Sequence, residues 1–194
     1  FLDAGPGFGG SCFKKDILNL VYLSKHFGLP EVANFWESVV KLNDWHQHRI
    51  SKLIVKKLFG TLSEKKICIL GFSFKANTND TRESSAINIC KDLLDEGAIL
   101  NIHDPKVCPN QIAKDLGLNQ INNNTDQINN NGKWKFFNSI EEAASGVHAI
   151  LVLTEWEEYS KIQWKSIAKK MISPAWVFDS RSILISKEVV AANL

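Results

Sequence analysis

Polar and apolar positions divide the chain near residue 60. Upstream of it, apolar residues recur at helical spacing: Ile17, Leu20, Val21 and Phe27 predict a helix from Asp16 to about Phe27, closed by Gly28 and Pro30. A longer stripe then runs through Val32, Trp36, Val39, Val40, Ile50, Leu53, Ile54 and Leu58 and stops at Gly60. A continuous amphipathic helix of roughly seven turns exceeds what one small domain covers, so the stripe predicts a packing partner.

Downstream the pattern becomes strands and helices in alternation. KICILGF at 66–72 is an apolar run suited to a buried central strand of a parallel sheet. The later segments predict helix 84–96, strand 99–103, helix 109–116, strand 134–137, helix 139–145, strand 148–154, helix 164–171 and strand 176–179. This order predicts an α/β fold, a Rossmann-like doubly wound parallel sheet preceded by a long helical linker, with units at 1–60 and 61–194. Such a sheet binds ligands at the carboxyl ends of its strands, here near 72–82, 103–105, 154 and 179–181. Between Leu118 and Lys133 the Asn-rich run has no periodic apolar face and predicts a solvated, mobile insertion.

Composition narrows the classes of partner. Among 194 residues, 23 basic side chains face 21 acidic ones, for a formal charge of +2. That balance provides no field for nucleic acid or for an anionic membrane surface. No apolar run approaches the roughly 20 residues of a membrane-spanning helix. Cys12, Cys68, Cys90 and Cys108 form no CxxC or His-spaced pattern, which argues against a zinc site or a disulfide framework and fits a reducing, cytoplasmic setting. The five histidines lack metal-ligand spacing and read as structural or exposed. Trp36, Trp45 and Trp156 read as core or interface residues. Phe1 is not a methionine, and a glycine-rich motif opens the chain with no structure before it; both lead to the expectation of a piece of a longer protein.

That opening motif, FLDAGPGFGGSC, carries the first candidate chemistry. Gly5, Gly7 and Gly10 satisfy G-x-G-x-x-G formally, but a dinucleotide fingerprint needs a preceding strand and a distant acid, and neither is visible. The alternatives are a simple loop or a backbone cradle that presents Ser11 and Cys12 to a ligand. Most cysteines are small buried hydrophobes. Cys12 differs in lying at a helix start, where the dipole favours a thiolate, with Lys14 and Lys15 beside it. Asp16, at i+4, can share its face and handle a water or a proton. Further along, Arg82 reads as a solvated helix-start residue or an anion donor, Arg181 as a partner of Asp179 or an anion donor, and Phe74 as core or as a stacking face. Asp80 and Thr81 read as caps for the helix that follows.

Four segments, GFGGSCFKKD, LPEVANFWESVVKLND, KICILGFSFKANTNDTRESSAI and WVFDSRSIL, together resemble the UDP-glucose dehydrogenase family in sequence and in order. The resemblance covers most of the chain. It implies an enzyme that uses NAD twice to oxidise UDP-glucose to UDP-glucuronate, through a cysteine thiohemiacetal and then a thioester. It assigns Cys12 as nucleophile and Asp16 as the carboxylate that assists the hydrolytic water. Phe1, Leu2, Gly7, Phe8, Gly9, Phe74, Lys75 and Arg181 match substrate-binding positions, and Lys15 and Arg82 match cofactor-binding ones; no metal is implied. Arginine suits a diphosphate through its planar fork, and aromatic faces suit uracil or a sugar ring. The resemblance also implies a homodimer through helix 31–59.

Two positions depart from the family pattern: Asp3 stands where Lys or Asn is frequent, and Ser182 where some members have a second arginine. The family's N-terminal NAD domain has no counterpart in this chain, which is therefore expected to be inactive by itself. Two alternatives remain open at this point. One is a sister enzyme acting on UDP-N-acetylmannosamine or GDP-mannose; the other is a non-catalytic nucleotide-sugar binding module.

Overall fold

A computed structural model describes residues 3–120 and 132–194. Phe1 and Leu2, expected at the substrate, lie outside the described residues, as does most of the Asn-rich run expected to be mobile. Two helices come first. Helix α1 spans Phe13–His26, with Cys12 as its N-cap. It ends where Gly28 adopts a φ of +70° and Leu29 N–H returns to the Ser24 carbonyl at 2.9 Å. Pro30, whose fixed φ suits a first helical position, opens helix α2, Pro30–Lys57. The first helix thus starts a turn earlier than its apolar spacing predicts, because its first turn is polar or exposed.

The remainder is a five-stranded, wholly parallel sheet: β1 Lys66–Leu70, β2 Ile99–His103, β3 Lys133–Phe136, β4 Ala149–Val152 and β5 Trp176–Asp179, in the order β3-β2-β1-β4-β5. Helices α3 (Ser85–Asp95), α4 (Pro109–Leu116), α5 (Ile140–Ala143) and α6 (Trp164–Ala168) lie between the strands, and α7 (Ser186–Val190) follows the last one. Alternation along β1 divides the core in two. Ile67 and Ile69 join Leu100, Ile102, Trp134 and Leu151 on one face, packed with α3, α4 and the end of α2 through Ile54 and Leu58. Cys68 and Leu70 join Ile150 and Val152 on the other, with Tyr159, Trp164, Ile167 and Met171. Both faces are covered, as parallel sheets require, and the predicted doubly wound α/β class is the observed one.

Two local expectations need correction. Helix α3 is capped by Ser84, whose Oγ accepts the Ala86 N–H at 3.3 Å, rather than by Asp80 or Thr81. Of the tryptophans expected in a core or an interface, Trp156 is buried, and Trp45 is 56% exposed on α2 with Arg49 over its ring. The buried face of α2 also follows the apolar stripe only in part: it runs Ala33, Val40, Asn43, Gln47, Ser51 and Ile54, leaving Val32 and Leu53 of the stripe exposed together with Phe35 and Leu42. Asn43 and Gln47 tolerate that burial because they have partners. Gln47 donates to Ser85 Oγ at 3.3 Å and accepts from Asn88 at 2.7 Å, which stitches α2 to α3.

Candidate functional site

Strand order reverses between β1 and β4, and the crevice there is the place where an open parallel sheet binds ligands. Gly71 ends β1 with a φ of +94°, and a Cβ on it would collide with Thr154 at the end of β4, so the crossing is tight. Around it one carboxylate organises the loops. Asp104, buried at the end of β2, accepts Phe72 N–H at 2.7 Å, Ser73 N–H at 3.1 Å and Trp156 Nε1–H at 3.3 Å on one oxygen, and Lys106 and Val107 N–H at 2.9 Å each on the other. A buried charge is tolerable when donors surround it in this way. Sequence reasoning marked the 103–105 stretch but not this residue, whose donors come from three separate loops.

Arg181, after β5, lies across the crevice. Its Nε–H donates to the Leu153 carbonyl at 2.7 Å and its Nη2–H to the Phe74 carbonyl at 3.1 Å, while Asp179 accepts two backbone N–H groups, that of Arg181 at 2.9 Å and that of Leu184 at 2.8 Å. Asp179 is thus no partner of the guanidinium. Glu155 Oε2 sits 3.2 Å from Nε without an aligned hydrogen bond, because that N–H points to Leu153. Burial pushes the guanidinium below its ordinary pKa, and the Glu155 carboxylate acts against that shift. Lys75 is exposed, its ammonium 5.4 Å from the centre of the Phe74 ring.

The glycine-rich loop is strung between α2 and this crevice. Asn43 brackets Phe8, accepting its N–H at 2.8 Å and donating to its carbonyl at 3.2 Å, and His46 Nε2 lies 3.3 Å from the Gly5 carbonyl. On the other side, Gly5 lies against Arg181, Gly10 lies against the Phe74 ring, and Gly10 N–H donates to the Arg82 carbonyl at 2.9 Å. Gly9 passes so near residue 83 that a Cβ would run into the Glu83 carbonyl oxygen. The chain then enters α1. Cys12 is exposed at the N-cap, its Sγ 3.4 Å from Ser11 Oγ, and Asp16 N–H closes the first turn on the Cys12 carbonyl at 2.9 Å.

Charges around the thiol are arranged otherwise than the sequence predicts. Lys14 is not free beside Cys12: its ammonium pairs with Glu83 at 2.9 Å, and that hydrogen bond raises its pKa. Arg82 is exposed and held by Asp80, with Nη2 2.7 Å from Oδ2 and Nε 3.0 Å from Oδ1. Asp80 holds the Arg82 guanidinium above its ordinary value, with a smaller contribution from Cys12, and Arg82 in turn holds the Asp80 carboxyl low. Lys15 and Asp16 are exposed, and no side-chain bond engages them among the described residues. Gly7, Phe8, Gly9, Phe74 and Arg181 are therefore brought together, Cys12 and Arg82 lie at their edge, and Lys15, Asp16 and Lys75 face solvent around them. Among the described residues no group of His, Cys, Asp and Glu side chains could hold a metal ion, and no helix is long and apolar enough to cross a membrane.

Comparison with known proteins places this arrangement. Residues 68–186 match the UDP-glucose/GDP-mannose dehydrogenase family, UDP binding domain, and residues 1–45 match the central domain of the same family. The UDP-glucose 6-dehydrogenase of Drosophila melanogaster is 45% identical over 184 residues, covering 95% of this chain and 38% of its own length. That of Mus musculus is 47% identical over 184 residues, with 95% and 37% covered. The chain thus spans less than two-fifths of the length of these relatives. A UDP-glucose dehydrogenase from Pyrobaculum islandicum shares the fold with a TM-score of 0.73 at 24% identity, over 95% of this chain and 37% of that one. A GDP-mannose dehydrogenase from Pseudomonas aeruginosa does so at 0.67 and 19%, over 95% and 38%. With the family's UDP binding domain matched over most of the sheet and its central domain over the cysteine helix, the chain belongs to the UDP-glucose/GDP-mannose dehydrogenase family.

Proposed function

We propose that the protein to which this chain belongs oxidises UDP-glucose to UDP-glucuronate. The observation that carries the proposal is the threading of the Gly5–Gly10 loop between Asn43 and Arg181, which brings an exposed helix-capping cysteine to the carboxyl end of a UDP-binding sheet. Relatives named UDP-glucose 6-dehydrogenase at 45% and 47% identity favour this sugar nucleotide over the others in the family.

In this reading residues 61–194 hold the nucleotide and residues 1–60 supply the nucleophile. Arg181 and Lys75 offer cationic donors to the diphosphate, and Phe74 and Phe8 offer faces to rings. Gly7 and Gly9, with Phe1 and Leu2, bring backbone close to the sugar. Once the C6 alcohol has become an aldehyde, the Cys12 thiolate adds to C6 and forms a thiohemiacetal. Loss of a second hydride turns that adduct into a thioester. Asp16 directs a water onto the thioester carbonyl, the C–S bond breaks, and the thiol and a carboxylate are released. NAD, when bound, supplies the hydride acceptor for both oxidations. Lys15 and Arg82 are exposed cations flanking the thiol, a placement that suits a dinucleotide's phosphates, and they are this chain's contribution to holding it. Catalysis through Cys12 needs a free thiol, in keeping with a reducing cytoplasmic setting.

Exposed Phe35, Leu42, Trp45 and Leu53 on α2 support a homodimer through that helix. The test uses the full-length protein with UDP-glucose, UDP-N-acetylmannosamine and GDP-mannose at matched concentrations. Two NADH per UDP-glucose, little from the others, and a light-scattering mass of two chains are expected. Turnover of another sugar overturns the substrate, absence of any turnover overturns the enzyme reading, and a monomer overturns the pairing.

A further inference from the structure

Two residues beside the glycine loop sit where local chemistry does not favour them. Lys14 is a cation in the first turn of α1, next to the positive end of the helix dipole. Glu83 has a φ of +53°, in the left-handed region that Gly and Asn accept far more readily. Each is reconciled by the other, through the 2.9 Å pair between Lys14 Nζ and Glu83 Oε2. Strained and locally unfavourable positions persist where the surrounding structure imposes them, and they gather at functional sites.

The surroundings show what this pair joins. Along its length α1 packs on α2, through buried Ile17, Val21 and Ser24. Its N-terminus is instead joined to the loop before α3. There Arg82 O accepts Gly10 N–H at 2.9 Å, the Glu83 carbonyl crosses over Gly9, and the Glu83 side chain reaches Lys14, two residues beyond Cys12. With the two side chains 27% and 51% exposed, screening leaves the pair little to contribute to folding. Its effect falls on geometry, and displacing a nucleophile by an ångström is enough to slow a reaction substantially.

We propose that Glu83 is a positioning residue, whose ion pair with Lys14 locks the first turn of α1 to the Arg82 loop and holds Cys12 in one placement against the strand-end loops. The role rests on the proposed oxidation through Cys12, and Glu83 itself touches no reacting atom.

The test compares Glu83→Gln with the charge-reversed Lys14→Glu/Glu83→Lys in the full-length protein. Three readouts are taken: kcat and KM for UDP-glucose, the rate of Cys12 alkylation by iodoacetamide followed by mass, and the thermal midpoint. Glu83→Gln is expected to lower kcat about fivefold to tenfold, with KM within about twofold and the midpoint unmoved. Its alkylation rate should change about threefold or more, and charge reversal should restore both rates. Unchanged rates in Glu83→Gln, or no recovery on reversal, overturn the positioning role. An alkylation rate that shifts and recovers in a protein that oxidises no sugar nucleotide upholds the latch and overturns the proposed reaction instead.

Discussion

The two halves of the site are held by different means. The strand-end half is fixed from within: Asp104 gathers the loops after β1, β2 and β4 onto one buried carboxylate, and Arg181 is fastened to two backbone carbonyls. The cysteine half hangs from a few side chains, with Asn43 on Phe8, His46 by Gly5 and Glu83 on Lys14, and it leaves Cys12, Lys15 and Asp16 exposed. Recognition of a nucleotide calls for donors fixed in advance. In the proposed oxidation, a thiol that adds to a carbonyl, carries an acyl group and releases it calls for room. Under the proposed function the difference puts binding on the sheet and chemistry on the loop, and each assignment can be attacked separately.

Cys12→Ala gives the largest expected effect. UDP-glucuronate formation should fall by about a thousandfold or more, because no thioester can form, while UDP affinity measured by calorimetry stays within about twofold. Persistent acid formation would remove the nucleophile, and a matching loss of UDP affinity would dissolve the division between the halves. Asp104→Asn attacks the other side. It sets an amide N–H₂ against backbone donors, so denaturant unfolding should show a loss of about 2–3 kcal/mol and UDP affinity should drop. The rate of Cys12 alkylation should hold; if it changes as much as the affinity does, the halves are not independent.

Much of this was legible in the sequence because it is local. β1 announces itself as an apolar run, β2 and β5 fall at their predicted bounds, and Cys12 lies inside a continuous motif at a helix start. What was not legible depends on partners distant in sequence. Asn43, Gln47 and Ser51 lie outside the predicted apolar stripe and are buried, and Phe8, Ser85 and Asn88 make burial possible for the first two. Lys14 reads as a neighbour of the thiol until Glu83, 69 positions away, takes its charge. The one-turn elements at 157–161 and in α7 bury only Tyr159 and Val189 respectively, too little to leave a period.

Asn43→Ala gives the smallest of these effects and the sharpest reading of the cysteine half. Asn43 is 7% exposed, and its carboxamide is the only side chain recorded on the Phe8 backbone among the described residues, accepting from N–H at 2.8 Å and donating to the carbonyl at 3.2 Å. Removing it leaves both groups of Phe8 half-buried rather than sealed, so water can replace part of what is lost and the stability cost should be about 1 kcal/mol. The loop would then lose its register against α2 while keeping its Gly10 bond to Arg82. A fall in kcat of about fivefold is expected, with UDP affinity unchanged because Asp104 and Arg181 are untouched. Should UDP affinity fall with kcat, the glycine loop belongs to the binding half of the site, and the boundary between binding and chemistry moves from the edge of the sheet to Cys12 itself.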